Sequence, residues 1–233
     1  SLRWYRQMVG ISSIGDTTVV SNKWMLGTRN SFIIGISATF LATALGTVAA
    51  LGLSRRNMPF KGTIMAILIS PMIVPLIITS AGMFFFYSKV GLTHTYLGLI
   101  LAHTALGTPF VVITVTATLT GFDTNLIRAS QSLGANTMRT FFKVIMPLIL
   151  PGVISGALFA FITSFDEVVV VMFVGSVEQI TIPKQMWAGL RQETSPVILC
   201  MATCLVFLSI ALLTTVELLR RRSERLRGIK LQN

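Results

Sequence analysis

Long apolar runs alternate with short polar connections along this chain of 233 residues. Five of the runs reach about 20 residues, the length that a helix needs to cross a hydrocarbon core roughly 30 Å thick. Because lipid offers no partner to backbone N–H and C=O groups, such runs predict helices, which satisfy these groups internally. The predicted spans cover residues 30–53, 63–87, 97–119, 153–174 and 197–219. The fold class that follows is all-α, a polytopic transmembrane helical bundle with five spans in this chain.

Two of the spans carry features that predict their place in the bundle. The span at 30–53 is rich in Gly, Ala, Ser and Thr. These small residues let neighbouring helices approach closely, so we expect this span inside the bundle. The span at 63–87 contains Pro71 and Pro75. Proline breaks within a membrane are tolerated where neighbouring groups or water satisfy the freed carbonyls, so this helix is a candidate for lining a cavity.

Composition agrees with a membrane protein, and charge predicts its orientation. Hydrophobic residues make up 53% of the chain and charged residues only 12%, against roughly a quarter charged in soluble domains. The net charge of +11 arises from cations in loops and at the C-terminus rather than on a soluble nucleic-acid-binding face. With five spans, one side of the membrane receives 12 of the 19 Lys and Arg residues. The positive-inside rule puts that side and the C-terminus in the cytoplasm, and the N-terminus of this chain outside.

One polar connection has the turn chemistry of two short helices joined by a sharp bend. Asp123 is a candidate N-cap for the first helix, and Gly134 is expected to end that helix in a left-handed turn. A second helix is predicted to begin near Asn136 and to stop where Pro147 and Pro151 follow. The cations in this connection favour the cytoplasmic side.

This connection, residues 122–151, resembles the EAA loop of the permease subunits of ABC importers. The glycine, the two prolines and the spacing between them carry the resemblance, and an ordinary amphipathic connector, the alternative, would not require that spacing. Arg128 stands where the family has a glutamate, so the local salt bridge or cap of the family is not expected to carry over. The resemblance implies that the loop docks on an ATPase as a coupling helix, through Ala129, Ser130, Leu133, Gly134, Ala135, Arg139, Phe141 and Pro147.

The resemblance also implies an architecture and a set of partners. Residues 1–233 would form one transmembrane permease domain of the type I importer fold, in the bacterial inner membrane, without enzymatic activity of its own. The implied partners are a second permease subunit, two ATPase subunits that bind ATP and Mg²⁺, an extracytoplasmic substrate-binding protein and membrane lipid. The chain carries no phosphate-loop motif, so no nucleotide cofactor is expected in it. Because the cations lie in loops and at the C-terminus, no nucleic acid is expected as a partner either. In the family a spanning helix precedes an SLRWY-like segment, so we expect this sequence to lack that helix.

Two adjacent acids, Asp166 and Glu167, interrupt the apolar span at 153–174. A helix rises 1.5 Å per residue, so Asp166 is expected roughly 21 Å above Gly152, past the middle of the membrane. A carboxylate at that depth is energetically costly unless it faces water or a cation. Aromatic rings beside the carboxylate can also bind an organic cation. We therefore predict a substrate pathway for a cation. Its candidate residues are Phe159, Thr163, Phe165, Asp166 and Glu167.

Helical spacing refines this prediction and leaves alternatives open. Adjacent acids lie about 100° apart around a helix, so one can face the pathway while the other meets a neighbouring helix or subunit. The alternative is that the pair is structural. His103 also has two interpretations, a pathway residue or a hydrogen-bonded packing residue. Within one continuous helix, a shared face is formed by Phe159, Thr163, Asp166, Val170 and Phe173.

The acids also narrow the family resemblance. The motif SFDEVVVVMFV and the following ITIPKQMW segment resemble permeases of the spermidine/putrescine subfamily, as do PMIVPLIIT and AHTALGTPFVV. This resemblance implies import of polyamines, which are flexible polycations, by alternating access. Permeases for ferric iron, thiamine, opines, phosphonates or amino-acid derivatives share much of the pattern and stay alternative cargoes. An ion-driven secondary transporter is a further alternative, although such transporters usually show internal repeats.

Overall fold

The computed structural model describes residues 3–9, 18–55, 57–120, 123, 125–192 and 196–226. Within these ranges the chain forms helices and turns and no β-strand, which confirms the predicted all-α class. A π-helix covers Phe141–Ile145. The α-helices are α1 (Arg3–Val9), α2 (Thr18–Leu53), α3 (Lys61–Ile73), α4 (Leu76–Val90), α5 (Tyr96–Thr120), α6 (Asn125–Ser132), α7 (Thr137–Thr140), α8 (Met146–Asp166), α9 (Val169–Val174), α10 (Ile182–Gln192) and α11 (Pro196–Leu226).

Four helical stretches in the described part of the chain are long and apolar enough to cross a membrane. A bent pair, α3 and α4, supplies a fifth crossing when the two helices are counted together. The predicted number of five spans agrees with that count. The four unbent stretches are Lys23–Leu53, Tyr96–Thr120, Thr137–Asp166 and Pro196–Thr214.

The helices α3 and α4 meet at an angle of 104°. The backbone of Val74 is extended and ends α3, and Pro75 precedes α4, so the break expected at Pro75 is present. Pro71 lies inside α3 without breaking it. The reason is local, because Ser70 Oγ donates a hydrogen bond to the Ile67 carbonyl at 2.8 Å. That carbonyl is the acceptor which loses its backbone donor when residue 71 is proline.

The helices α2, α5 and α8 pack against one another and form the centre of the bundle. Ala42, Val111 and Ile149, one from each helix, are fully buried in a single cluster. The helix α2 approaches α5 so closely at Gly46 that an added Cβ would lie 2.7 Å from Val111 Cβ. Small residues therefore place α2 inside the bundle, as its composition predicted.

A second cluster holds the six-residue helix α9 in the core. Val170, Val171 and Val174 of this helix are fully buried. They pack with Ile34 of α2 and Leu99 of α5 in the same cluster. Because a helix of this length is not stable alone, its position depends on this packing.

His103 joins α5 to α8 in the interior. Its Nδ1 lies 2.7 Å from Ser164 Oγ, and both side chains are buried. Burial and a hydrogen bond to a neighbouring helix support the interpretation of His103 as a packing residue rather than a residue that lines a pathway.

The prediction that Pro147 stops the second helix of the loop is wrong. Helical backbone runs without a gap from Thr137 through the π-helix and α8 to Asp166. In the π-helix, Met146 N–H donates to the carbonyl of Phe141, five residues earlier. This wider turn directly before Pro147 accommodates a residue that has no N–H of its own.

Pro151 does not end the helix either, and it lies inside α8. A proline in a helix interior costs about 3 kcal/mol. The residues on both sides of it, Ile149 and Val153, are buried in the cluster that joins α8 to α5. Tertiary packing therefore holds the helix through a residue that local propensity would place at its end.

Candidate functional site

The span predicted over 153–174 is interrupted, because α8 ends at Asp166 and α9 begins at Val169. The backbone of Glu167 is extended, with φ −73° and ψ 124°. The prediction of one continuous helix is therefore wrong. The Glu167 carboxylate accepts a hydrogen bond from Val170 N–H at 2.9 Å and so caps a new helix. The first N–H groups of a helix have no partner within it, which is why a side-chain acceptor stabilises such a start.

The two adjacent acids lie in different environments. Glu167 is buried, with only 7% of its surface exposed, and its Oε1 lies against the first turn of α9. A carboxylate at a helix N-terminus is favoured by unpaired N–H groups and by the helix dipole. Asp166, by contrast, is exposed at the end of α8. The pair therefore consists of one capping acid and one accessible acid.

Asp166 lies on the outward face of α8 with Phe159 and Thr163. Phe159 is 48% exposed, and Thr163 is half-buried. The predicted extension of this face through Val170 and Phe173 is wrong, because the break turns α9 inward and both residues pack in the core. The outward face that carries the accessible acid is therefore confined to α8.

The two candidate aromatic rings have different neighbours. Phe165 is half-buried between Phe32, whose ring centroid is 5.3 Å away, and Phe161, at 5.2 Å. Phe159 stacks on Phe110 with centroids 6.1 Å apart and keeps about half of its surface open. Phe159 is thus the candidate ring that shares the face of the accessible acid, whereas Phe165 packs against α2 and its own helix.

Lys184, which no motif in the sequence indicated as a site residue, holds the other end of α9. Lys184 of α10 donates from Nζ to the carbonyls of Val171, at 3.1 Å, and Ser176, at 3.2 Å. Cations are favoured beside the unpaired carbonyls at the C-terminus of a helix. The side chain is half-buried, and this burial lowers the pKa of Lys184 from its ordinary value. Its signal in the sequence was the lysine of the ITIPKQMW segment that follows the span.

Two side chains of α2, the Asn30–Ser31 clamp, fix the connection between α9 and α10. Asn30 is fully buried, and its Nδ2 donates to the carbonyls of Glu178 and Ile180 at 2.8 Å each. Ser31 Oγ accepts a hydrogen bond from Ile182 N–H at 2.9 Å. The start of α10 is thereby tied to the central helix of the bundle.

At the opposite end of α8, the helix α6 closes with a left-handed glycine. Gly134 has φ 79°, as predicted. Its N–H donates to the Gln131 carbonyl at 2.9 Å, and Ala135 N–H donates to the Ser130 carbonyl at 3.0 Å. This pair of hydrogen bonds is the Schellman motif, which satisfies carbonyls that the end of a helix leaves unpaired.

Side-chain caps begin both short helices of the loop, at Asp123 as predicted and at Asn136, where only a helix start was predicted. Asn136 Oδ1 accepts a hydrogen bond from Arg139 N–H at 2.8 Å and starts α7. Asp123 Oδ1 accepts one from Asn125 N–H at 2.9 Å at the start of α6. Local turn chemistry therefore determines the shape of this loop.

A hydroxyl pair links α6 to α7 across the bend. Ser130 Oγ lies 2.9 Å from Thr140 Oγ1, and Thr140 is buried. Arg128 is exposed on α6. Two neutral hydroxyl groups therefore link the two short helices. Residue 128, where the family has a glutamate, is an arginine here and supplies no carboxylate to this contact.

The loop presents apolar side chains to its surroundings. Leu133 is 89% exposed, and Met138 and Phe142 are also exposed. Residues 122 and 124 of the predicted loop lie outside the described residues. The predicted coupling residues divide into two groups: Ala129, Leu133, Gly134, Arg139 and Pro147 are exposed, and Ser130, Ala135 and Phe141 are half-buried.

The chain is similar in sequence to curated transport proteins. It is 31% identical over 223 residues to the spermidine/putrescine transport system permease protein PotC of Haemophilus influenzae, an alignment that covers 96% of this chain and 83% of that protein. It is 28% identical over 218 residues to PotC of Escherichia coli K12, covering 91% and 83%. The putrescine transport system permease protein PotI of the same organism is 28% identical over 216 residues, covering 88% and 72%.

Solved structures share the fold. The chain resembles a MetNI methionine ABC transporter in an inward-facing conformation with a TM-score of 0.69 and 21% identity, covering 90% of this chain and 99% of that chain. An amino acid ABC transporter gives a TM-score of 0.66 at 15% identity, covering 91% and 100%. The family model described as "Binding-protein-dependent transport system inner membrane component" matches residues 42–226. The chain therefore belongs to that family, the inner-membrane permease subunits of ABC importers.

Proposed function

We propose that this permease moves spermidine, putrescine or a related polyamine into the cytoplasm. The observation that carries the proposal is the exposed carboxylate of Asp166 on the outward face of a membrane-spanning helix. Against lipid a charged side chain would be costly, so this face borders a water-filled pathway or another protein. A polyamine offers ammonium groups that such a carboxylate neutralises, and the three related permeases are named for polyamine transport.

Asp166 is the substrate-facing acid in this proposal, and Glu167 is a positioning residue. The Glu167 carboxylate is already engaged with Val170 N–H and is buried. Phe159 shares the face of Asp166 and offers an open ring to a cation. The substrate pathway therefore runs along the outward face of α8, with Thr163 between the ring and the acid.

The loop from α6 to the π-helix is the proposed contact with an ATPase. Its exposed apolar side chains and capped, rigid bend suit a surface that docks on a partner and transmits its movement. We place this loop and the C-terminal end in the cytoplasm and the N-terminal end of the chain outside, on the charge asymmetry of the loops.

The proposed assembly contains permease chains, ATPase subunits, a binding protein and surrounding lipid. This permease pairs with a second permease chain, identical or related, and two ATPase subunits hold ATP and Mg²⁺. An extracytoplasmic binding protein delivers the substrate to the outer segments 1–28 and 175–196. Residues 1–2, 10–17 and 193–195 of these segments lie outside the described residues. Lipid surrounds the remaining apolar faces.

Uptake into proteoliposomes tests the proposal. The permease is co-purified with its ATPase and reconstituted with ATP inside, and the binding protein and radiolabelled spermidine are added outside. We expect accumulation with enclosed ATP and none with ADP. Accumulation driven by an ion gradient without ATP would point to a secondary transporter. Competition by ferric iron, thiamine, an opine, a phosphonate or an amino acid, but not by putrescine, would assign another cargo.

A further inference from the structure

The short helix α9 is held at both ends by side chains that belong to different parts of the chain. Glu167 binds its first turn from the side of α8, and Lys184 binds its last turn from α10. A third contact fixes the same end, because His94 N–H donates to the Val174 carbonyl at 2.8 Å. Any movement of α10 relative to the bundle therefore acts on α9 through the lysine.

The helix α10 has one face in the bundle and one face open. Ile182 is fully buried beside Trp24, and Ser31 of the Asn30–Ser31 clamp accepts a hydrogen bond from the Ile182 N–H. Trp187 and Leu190, one and two turns beyond Lys184, are exposed. This open face lies outside the spans, at the end of α8–α9 that is remote from the coupling loop.

The occupant of the open face follows from the family. A binding-protein-dependent transport system has a substrate-binding partner, and a membrane-external face with an exposed tryptophan is a typical centre for a protein contact. Lys184 connects α10 to α9, and α9 begins directly after the break that follows Asp166. Docking on α10 is therefore mechanically linked to the helix break.

We propose that Lys184 is a positioning residue that transmits docking of the binding protein on α10 to the break between α8 and α9, and so to Asp166. The inference rests on the proposed function, since it requires a binding protein and an ATPase. An ammonium at the C-terminus of α9 suits this role because it binds two carbonyls without being part of the helix. Arginine can make the same charged contact, whereas methionine keeps the apolar stem and loses it.

The first test compares Lys184→Met and Lys184→Arg with the wild-type complex in nanodiscs. ATP hydrolysis is measured with and without the binding protein loaded with spermidine. The matched control is Lys89→Met, which removes an exposed lysine from the last turn of α4. We expect Lys184→Met to keep basal hydrolysis and to lose stimulation about three- to tenfold, the size typical of a cation at a partly buried helix end. Lys184→Arg is expected to restore most of the stimulation.

The second test follows docking on the wild-type complex. Hydrogen–deuterium exchange is followed in peptides that cover residues 168–176 of the wild-type complex, before and after the loaded binding protein is added. We expect docking to change the exchange of this segment, and Lys184→Met to raise its exchange without the partner.

The outcomes separate the inference from the proposed function. A wild-type complex that the binding protein does not stimulate contradicts the proposed function itself. Where the wild type is stimulated, the inference is overturned by normal stimulation of Lys184→Met, by a parallel loss of basal hydrolysis, or by failure of Lys184→Arg to rescue. If Lys184→Met does not assemble, unchanged exchange at 168–176 on docking overturns it instead.

Discussion

Two interruptions flank the helical stretch from Thr137 to Asp166, and they are built differently. The bend between α6 and α7 is local: a left-handed Gly134 and a capping Asn136 form it from residues close in sequence. The break after Asp166 contains neither glycine nor proline. It is held by the Glu167 side chain within the core and by Lys184, which comes from a separate helix.

This difference has a functional meaning. A bend fixed by its own turn residues keeps its shape whatever the rest of the bundle does, which suits a loop that receives force from a partner. A break fixed by contacts with other helices responds when those helices move, which suits a gate beside a substrate-facing acid. The following changes test this contrast in order of expected effect.

The largest effect is expected for Asp166→Asn. Replacing the carboxylate by an amide removes the charge from its contact with a cationic substrate, a contact worth about 1.5–3 kcal/mol, so spermidine uptake should fall about tenfold or more. Basal ATP hydrolysis should stay within about twofold of wild type because the change lies far from the coupling loop. Uptake and hydrolysis are measured on the same reconstituted complexes. Normal uptake with intact assembly would remove Asp166 from the pathway.

Gly134→Ala probes the other interruption. A Cβ at a left-handed position costs roughly 1–2 kcal/mol, so stimulated ATP hydrolysis should fall about fivefold or more. The control is Gly62→Ala, because an added Cβ meets nothing within 4 Å at either glycine, whereas only Gly134 has a positive φ. Hydrolysis is measured at matched ATPase content. Equal activity of the two variants would show that backbone strain at the bend is irrelevant to coupling.

Two substitutions of Glu167 distinguish a role as a helix cap from a role as a negative charge. Glu167→Gln keeps a side-chain oxygen for Val170 N–H, so uptake should remain within about twofold of wild type. Glu167→Leu loses the acceptor, which costs about 1 kcal/mol and should lower uptake about fivefold. Thermal unfolding of the purified complex provides a second readout, with Glu167→Leu below Glu167→Gln. The reverse order would assign Glu167 a direct electrostatic role.

The smallest effect is expected for the hydroxyl pair of the loop. Ser130→Ala and Thr140→Val each remove one partner of a 2.9 Å contact. A neutral hydrogen bond contributes about 1 kcal/mol, so each variant should lower stability slightly, and the double variant should cost less than the sum of the two. A double-mutant cycle on thermal unfolding measures this coupling. Additive losses would mean that the two hydroxyls do not support each other.

The contrast also explains what the sequence could predict. Gly134, Asn136 and Pro75 act on the backbone beside them, so their positions alone indicated the bend of the loop and the break between α3 and α4. Pro151 acts locally too, but burial of Ile149 and Val153 overrides it. Local signals were sufficient only where no tertiary packing opposed them.

The break at Glu167 could not be predicted in the same way. An apolar run rich in valine with two acids is compatible with a continuous helix, and the cap becomes visible only when the buried valines of α9 fix that helix against α2 and α5. Lys184 was missed for a related reason, since its acceptors lie on another helix. Helical geometry predicted that the two acids face different surroundings. Which of the two acids is buried depends on the fold.

In the proposed mechanism two neighbouring acids have separate roles, since Asp166 faces the substrate and Glu167 caps a helix. The most direct test is spermidine uptake by Asp166→Asn and Glu167→Gln complexes, compared side by side at equal content of ATPase and binding protein. We predict that uptake is nearly lost in the first and nearly normal in the second. Equal losses in both variants, or a greater loss in Glu167→Gln, would contradict the account.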